Sequence, residues 1–122
     1  MILYLPVKSK LIIYTDGASR GNPGPAGAGA VILDARGNIL KRATKALGET
    51  TNNVAEYSAV VLGLETLKKL VGKAKLHSYN IEIRMDSELV ARQLRGEYEM
   101  NAAHLFPLFM KIHNLQVKDF PK

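Results

Sequence analysis

The order of elements legible in this chain predicts an α/β layer fold with a mixed sheet: three antiparallel strands, then a helix, a fourth strand and further helices. Three observations carry that expectation. Short apolar runs recur over 11–15, 28–33 and 39–44, a stretch with helical spacing fills 54 to about 71, and Ile81, Ile83 and Met85 alternate with polar residues. With 122 residues and neither an internal repeat nor a low-complexity linker, the chain is expected to form one domain over 1–122.

The first run, Leu11-Ile12-Ile13-Tyr14-Thr15, is short and continuously apolar or β-branched, so it is expected to be a strand buried on both faces. The second and third runs flank "DARGN", a turn signal that joins them as an antiparallel hairpin. "GETTNN" then offers several helix N-caps and Gly72 a natural stop. Between them Ala59, Val60, Gly63, Leu67 and Leu70 form the stripe expected to face the core. Beyond the fourth strand, 87–95 predicts a short helix closed by Gly96. A third is expected over 102–115, with Leu105, Leu108, Phe109 and Ile112 as its core stripe.

Composition narrows the function classes. No window approaches the roughly 18 apolar residues of a membrane span, and "MILYLPV" is too short and poorly flanked for a signal peptide, so a cytoplasmic protein without a membrane partner is expected. The absence of cysteine excludes disulfides and thiolate metal sites. A net charge of +6, from 17 basic and 11 acidic residues, suits a polyanionic partner such as nucleic acid, although solubility alone accounts for such a surplus equally well.

Three acids stand out by position. Asp16 ends the first strand, where an ionised side chain is costly without a partner or a cation, yet Asp-Gly is also a common turn pair. Glu56 falls on the apolar stripe at the start of the helix. The helix dipole offers ~0.3–1 kcal/mol there, well below the several kcal/mol that an unpaired buried charge costs, so either a basic side chain or a metal ion is expected opposite it. Asp86 follows the fourth strand and is either an N-cap or a third ligand. If the first and fourth strands are neighbours, the three converge as a hard oxygen set suited to Mg²⁺ or Mn²⁺.

The glycine-rich stretch after Asp16 matches no nucleotide fingerprint. It contains no GxxxxGK[ST], and Gly27-Ala28-Gly29 leads into a strand where the dinucleotide motif must open a helix. What it offers is unhindered backbone at Gly17, Gly21 and Asn22 beside Arg20, fit to touch a sugar-phosphate chain and its hydroxyls; a loop that needs Gly and Pro only for its turns is the alternative.

Taken together, "YTDGASRGNPGPAGAGAVI", "TTNNVAEYSAVVLGL" and "IRMDSELVARQLRGEY" resemble ribonuclease H of type 1, in family order from about residue 11 to residue 120, with separations of 40 (16 to 56) and 30 (56 to 86) between the acids. The short connection after the first helix resembles the bacterial and archaeal forms that lack a basic handle. The resemblance implies a ribonuclease H-like sheet and hydrolysis of the RNA strand of an RNA/DNA hybrid by two divalent ions. Asp16 would bridge both, and Glu56 and Asp86 would complete the shell nearer the leaving group. It further implies that Gly17, Arg20, Gly21, Asn22, Asn52, Asn53 and Ser87 contact the substrate.

Two departures from the family pattern are legible. Glu88 stands where some members carry glutamine, and the chain reaches Lys122 before the family's fifth strand and final helix, which bring a fourth carboxylate and a mobile histidine or its substitute. His77, His104 and His113 occupy no matching context. The sequence therefore predicts a C-terminally incomplete domain with weakened cleavage, the alternative being a non-catalytic fragment that binds hybrid or duplex RNA. An exposed sheet edge would then favour self-association, or complementation by the absent strand.

Overall fold

The first strand, β1, runs Ser9–Ser19, and the chain returns through β2 (Gly24–Asp34) and β3 (Ile39–Thr50) before the helix α1 (Asn52–Val71). A single 3₁₀ segment (Lys73–Ser78) leads into β4 (Tyr79–Met85). The computed structural model describes residues 9–86 together with Val90 and Arg92. The helices expected over 87–95 and 102–115 lie outside these residues apart from helical backbone at Val90 and Arg92, as do Ser87, Glu88, His104 and His113.

The sheet order is β3-β2-β1-β4. β1 pairs antiparallel with β2, and β2 with β3, through tight connections. β4 instead lies parallel to β1, which requires a crossover, and α1 supplies it. The expected mixed sheet and the neighbourhood of the first and fourth strands are both present.

α1 covers one face of the sheet. Leu11 and Ile13 of β1, Ala30 and Ile32 of β2, and Tyr57, Val60, Leu64 and Leu67 of α1 form the core, with Ile81 and Ile83 of β4 packed against it. Ile13, Ile32, Tyr57 and Leu67 have no exposed surface, and full burial of a side chain of this kind stabilises by about 1.5–3 kcal/mol. Among the described residues no helix is long and apolar enough to cross a membrane.

Four local expectations need correction. β1 is buried on one face more than the other: Leu11, Ile13 and Thr15 point under α1 and Ile12 is also covered, but Tyr14 is 44% exposed, its hydroxyl accepting from Arg84 NH1 at 2.7 Å. The glycine-rich stretch is mostly strand, because β1 continues to Ser19 and β2 begins at Gly24, leaving only Arg20–Pro23 as the connection. α1 starts at Asn52, capped by the Thr51 side chain accepting from Val54 N at 3.3 Å, so Glu56 belongs to its second turn, where the dipole acts more weakly. Leu70 is 41% exposed and leaves the inward stripe, which Ala55, Tyr57, Val61 and Leu64 widen instead.

Two glycines set how closely α1 lies on the sheet. A Cβ on Gly63 would come within 2.7 Å of Ile13 Cγ2, and one on Gly17 would sit 2.0 Å from Ala55 O and 2.6 Å from Glu56 N. The second clash is with backbone, which no rotamer change relieves. Gly17→Ala is therefore expected to cost about 3 kcal/mol in urea unfolding, whereas Gly27→Ala, whose Cβ would have ordinary contact at 3.7 Å, changes stability by less than about 1 kcal/mol.

The "DARGN" hairpin is held by Asp34, whose carboxylate accepts from Arg36 N (2.9 Å), Asn38 N (2.9 Å) and Asn38 Nδ2 (3.1 Å). These bonds, chiefly those from Asn38, hold its carboxyl below the usual 3.8. A lowered folded value stabilises above the unfolded value and loses that contribution as pH falls through the folded one. The stability difference between the protein and Asp34→Ala should be full at pH 6 and shrink below about pH 4, as followed by urea titrations across that range.

Candidate active site

The parallel ladder between β1 and β4 ends at Thr15 opposite Met85, so Asp86 follows the end of β4 beside Asp16, which is not at the end of β1 as expected but within it, since β1 runs on to Ser19; both acids are exposed. On its other side Asp16 faces Gly29 of β2, which has no side chain to cover it. Glu56 arrives from α1, brought to β1 by the backbone contact at Gly17. Thr15, Asp16, Gly17, Glu56, Met85 and Asp86 line one small cleft of about 20 Å³, enough for a single water-sized sphere.

Glu56 is half-buried, and its Oε1 accepts from Asn52 Nδ2 at 3.2 Å. Among the described residues no basic side chain pairs with Asp16, Glu56 or Asp86; ion pairs from Lys10 and Arg84 go to Glu82, outside the cleft. The basic partner that the sequence allowed opposite Glu56 is absent from that set. Three hard oxygen donors without a base match the chemistry of Mg²⁺ or Mn²⁺ rather than of a soft metal. As placed, the described acids line the cleft without closing to a three-ligand shell. Like charges of this kind resist convergence unless a cation shares them.

The residues expected to meet substrate surround this cleft in different ways. Arg20, Gly21 and Asn22 are exposed on the β1–β2 connection, where Ser19 Oγ donates to Gly21 O at 2.6 Å and Arg20 N to Pro25 O at 2.8 Å. Asn22 Oδ1 accepts from Asn52 N at 3.0 Å, and Asn52 Oδ1 from Ser19 N at 3.2 Å, so connection and helix start are laced together. Asn53 is half-buried beside them. Gly17 lines the cleft but is itself buried, its bare Cα taken up by the contact with α1. Ser87 lies outside the described residues.

Sequence reasoning missed the walls of the site. A groove of about 700 Å³ runs from Asp16 past Arg20 to Thr44 and Lys45 of β3, and a second of about 370 Å³ joins Asp16 and Asp86 to Arg42 and Arg84. The signal was the register: "DARGN" fixes the hairpin, and that hairpin brings Thr44 opposite Gly29 and Lys45 opposite Ala28.

Residues 8–114 match the RNase H family profile. The chain belongs to the type 1 ribonuclease H family. The bifunctional protein Rv2228c of Mycobacterium tuberculosis is 38% identical over 107 residues, 87% of this chain and 28% of that protein. The ribonuclease HI of Halobacterium salinarum is 43% identical over 88 residues, 72% of this chain and 41% of its own. The chain thus spans less than half the length of either relative. Among solved structures, LC11-RNase H1 in complex with an RNA/DNA hybrid superposes with a TM-score of 0.88 at 48% identity, covering 93% of this chain and 80% of that one. The four-stranded sheet with α1 across it is accordingly the ribonuclease H fold.

The lacing between connection and helix predicts a local effect. Asn22→Ala removes the acceptor of Asn52 N and should cost roughly 1 kcal/mol while accelerating amide exchange at Asn52, with exchange in the β1–β2 ladder beyond Asp16 unchanged.

Proposed function

We propose that this chain hydrolyses the RNA strand of RNA/DNA hybrids endonucleolytically, in a reaction that depends on Mg²⁺ or Mn²⁺. The observation that carries the reading is the cleft lined by Asp16 of β1, Glu56 of α1 and Asp86 just after β4, with no basic side chain paired to any of them among the described residues. The likeness to LC11-RNase H1, solved with a hybrid, supports the substrate.

Asp16, Glu56 and Asp86 would hold the ions. Bound divalent cations supply an activated water and stabilise the departing 3′ oxygen. The remaining work falls to the chain. Arg20 and Lys45 attract the phosphates, and the exposed backbone at Gly21 and the amide of Asn53 meet the sugar edge, where a 2′-hydroxyl tells RNA from DNA. The rigid β1–β2 ladder fixes Asp16 so that the scissile phosphate is presented to the carboxylates in one register. The same surface would admit duplex RNA, which shares the 2′-hydroxyls, and the β4 edge, unpaired among the described strands, would accept another strand.

The deciding assay is an end-labelled RNA/DNA hybrid incubated with Mg²⁺, then Mn²⁺, with Asp16→Asn as the blank. Cutting confined to the RNA strand, lost by at least 100-fold in the blank and abolished by chelator, is the expected result. Tight, salt-sensitive binding with no cutting in either metal would assign the chain to hybrid binding without catalysis. Cutting unaffected by Asp16→Asn would remove the three-acid cleft from the chemistry.

A further inference from the structure

Asn52 was expected from the sequence to contact substrate, but its side chain is already engaged at both ends. Its Oδ1 accepts from Ser19 N at 3.2 Å and its Nδ2 donates to Glu56 Oε1 at 3.2 Å, while its own N–H is taken by Asn22 Oδ1 at 3.0 Å. We propose that Asn52 is a positioning residue for Glu56: it transmits the fixed backbone of β1, through one rigid amide, to the carboxylate of a residue that lines the cleft.

The geometry favours this over a simple helix-start contact. Thr51, not Asn52, caps α1, so the Asn52 amide is not needed to satisfy the helix's first N–H groups. Glu56 lies one turn further along on the same side of α1, the spacing at which side chains meet. Ser19 is the last residue of β1, three positions beyond Asp16 on the same strand. The amide therefore links the strand that carries one acid to the side chain of another. A short planar side chain held at Oδ1 has little freedom at Nδ2, so Glu56 Oε1 is directed by β1 rather than by its own rotamers. The inference rests on the metal reading above for its consequence, since it assigns Asn52 a role in metal affinity before any nucleic acid is present.

The test is calorimetric titration of Mn²⁺ into the nucleic-acid-free protein and four variants: Asn52→Ala, Glu56→Gln, their double, and Thr51→Ala. Asn52→Ala is expected to weaken Mn²⁺ binding on the order of tenfold, and to add less than twofold in the Glu56→Gln background, because its effect passes through that carboxylate. Thr51→Ala damages the same turn without touching Glu56, and should lower the melting temperature while leaving Mn²⁺ affinity within twofold. In cleavage assays the loss in Asn52→Ala should fall on kcat more than on KM. An unchanged Mn²⁺ affinity in Asn52→Ala overturns the proposal and returns the residue to substrate contact, as does an equal loss in Thr51→Ala, which would mark a loosened helix start. If Asn52→Ala is too unstable to titrate, Asn52→Ser, shorter but still polar, is measured at a temperature where circular dichroism shows it folded, with the same expectations. Failure of the unmodified protein to bind Mn²⁺ would instead sink the metal reading itself, an outcome distinct from the other two.

Discussion

Everything at the cleft depends on one contact in which two backbones touch. At Gly17 the strand that carries Asp16 meets the carbonyl of Ala55 and the amide of Glu56 so closely that a methyl group would lie 2.0 Å from an oxygen. A Cβ at that position would force the start of α1 away from β1. Removing one Cβ at Gly17, and another at Gly63 further along, lets the helix settle onto β1 with its start against the acid-bearing residue. The parallel register with β4 does the rest, since a ladder ending at Thr15 and Met85 sets Asp86 beside Asp16.

This arrangement also shows which forces position the acids. The helix dipole typically contributes about 0.3–1 kcal/mol and fades after the first turn, and Glu56 stands in the second. A hydrogen bond to a charged group is worth about 1.5–3 kcal/mol, and Glu56 has one, from Asn52. Local hydrogen bonding therefore outweighs the dipole in orienting this carboxylate. Asp16 and Asp86 have no such bond among the described residues; their positions are set by strand backbone, and water reaches both.

The order of elements and the mixed sheet could be anticipated from hydrophobic periodicity, because that pattern is local in the chain; the three acids stood out by their places near expected element ends, although β1 runs on past Asp16 to Ser19. What escaped was what depends on partners. The burial of β1 was overestimated because its continuous apolar run says nothing about how many layers cover it, and α1 covers one face. Glycine and proline disfavour strands, so the glycine-rich stretch reads as a loop, yet nine cross-strand pairs from Leu11 to Ser19 override that preference. The walls of the grooves, Arg42, Thr44, Lys45 and Arg84, carry no motif, and only the pairing register brings them near Asp16.

The glycines of β2 complete the logic by contrast with Gly17. A Cβ on Gly27 or Gly29 would meet neighbours only at 3.7 Å or beyond, so packing does not require a bare backbone at either position. Both nevertheless line the groove beside Asp16, and Gly29 is its direct cross-strand partner. A larger residue there would be accepted by the fold and would stand over the acid. The two sets of glycines thus answer different constraints: those under α1 bring Glu56 to the cleft, and those on β2 leave the approach to Asp16 open.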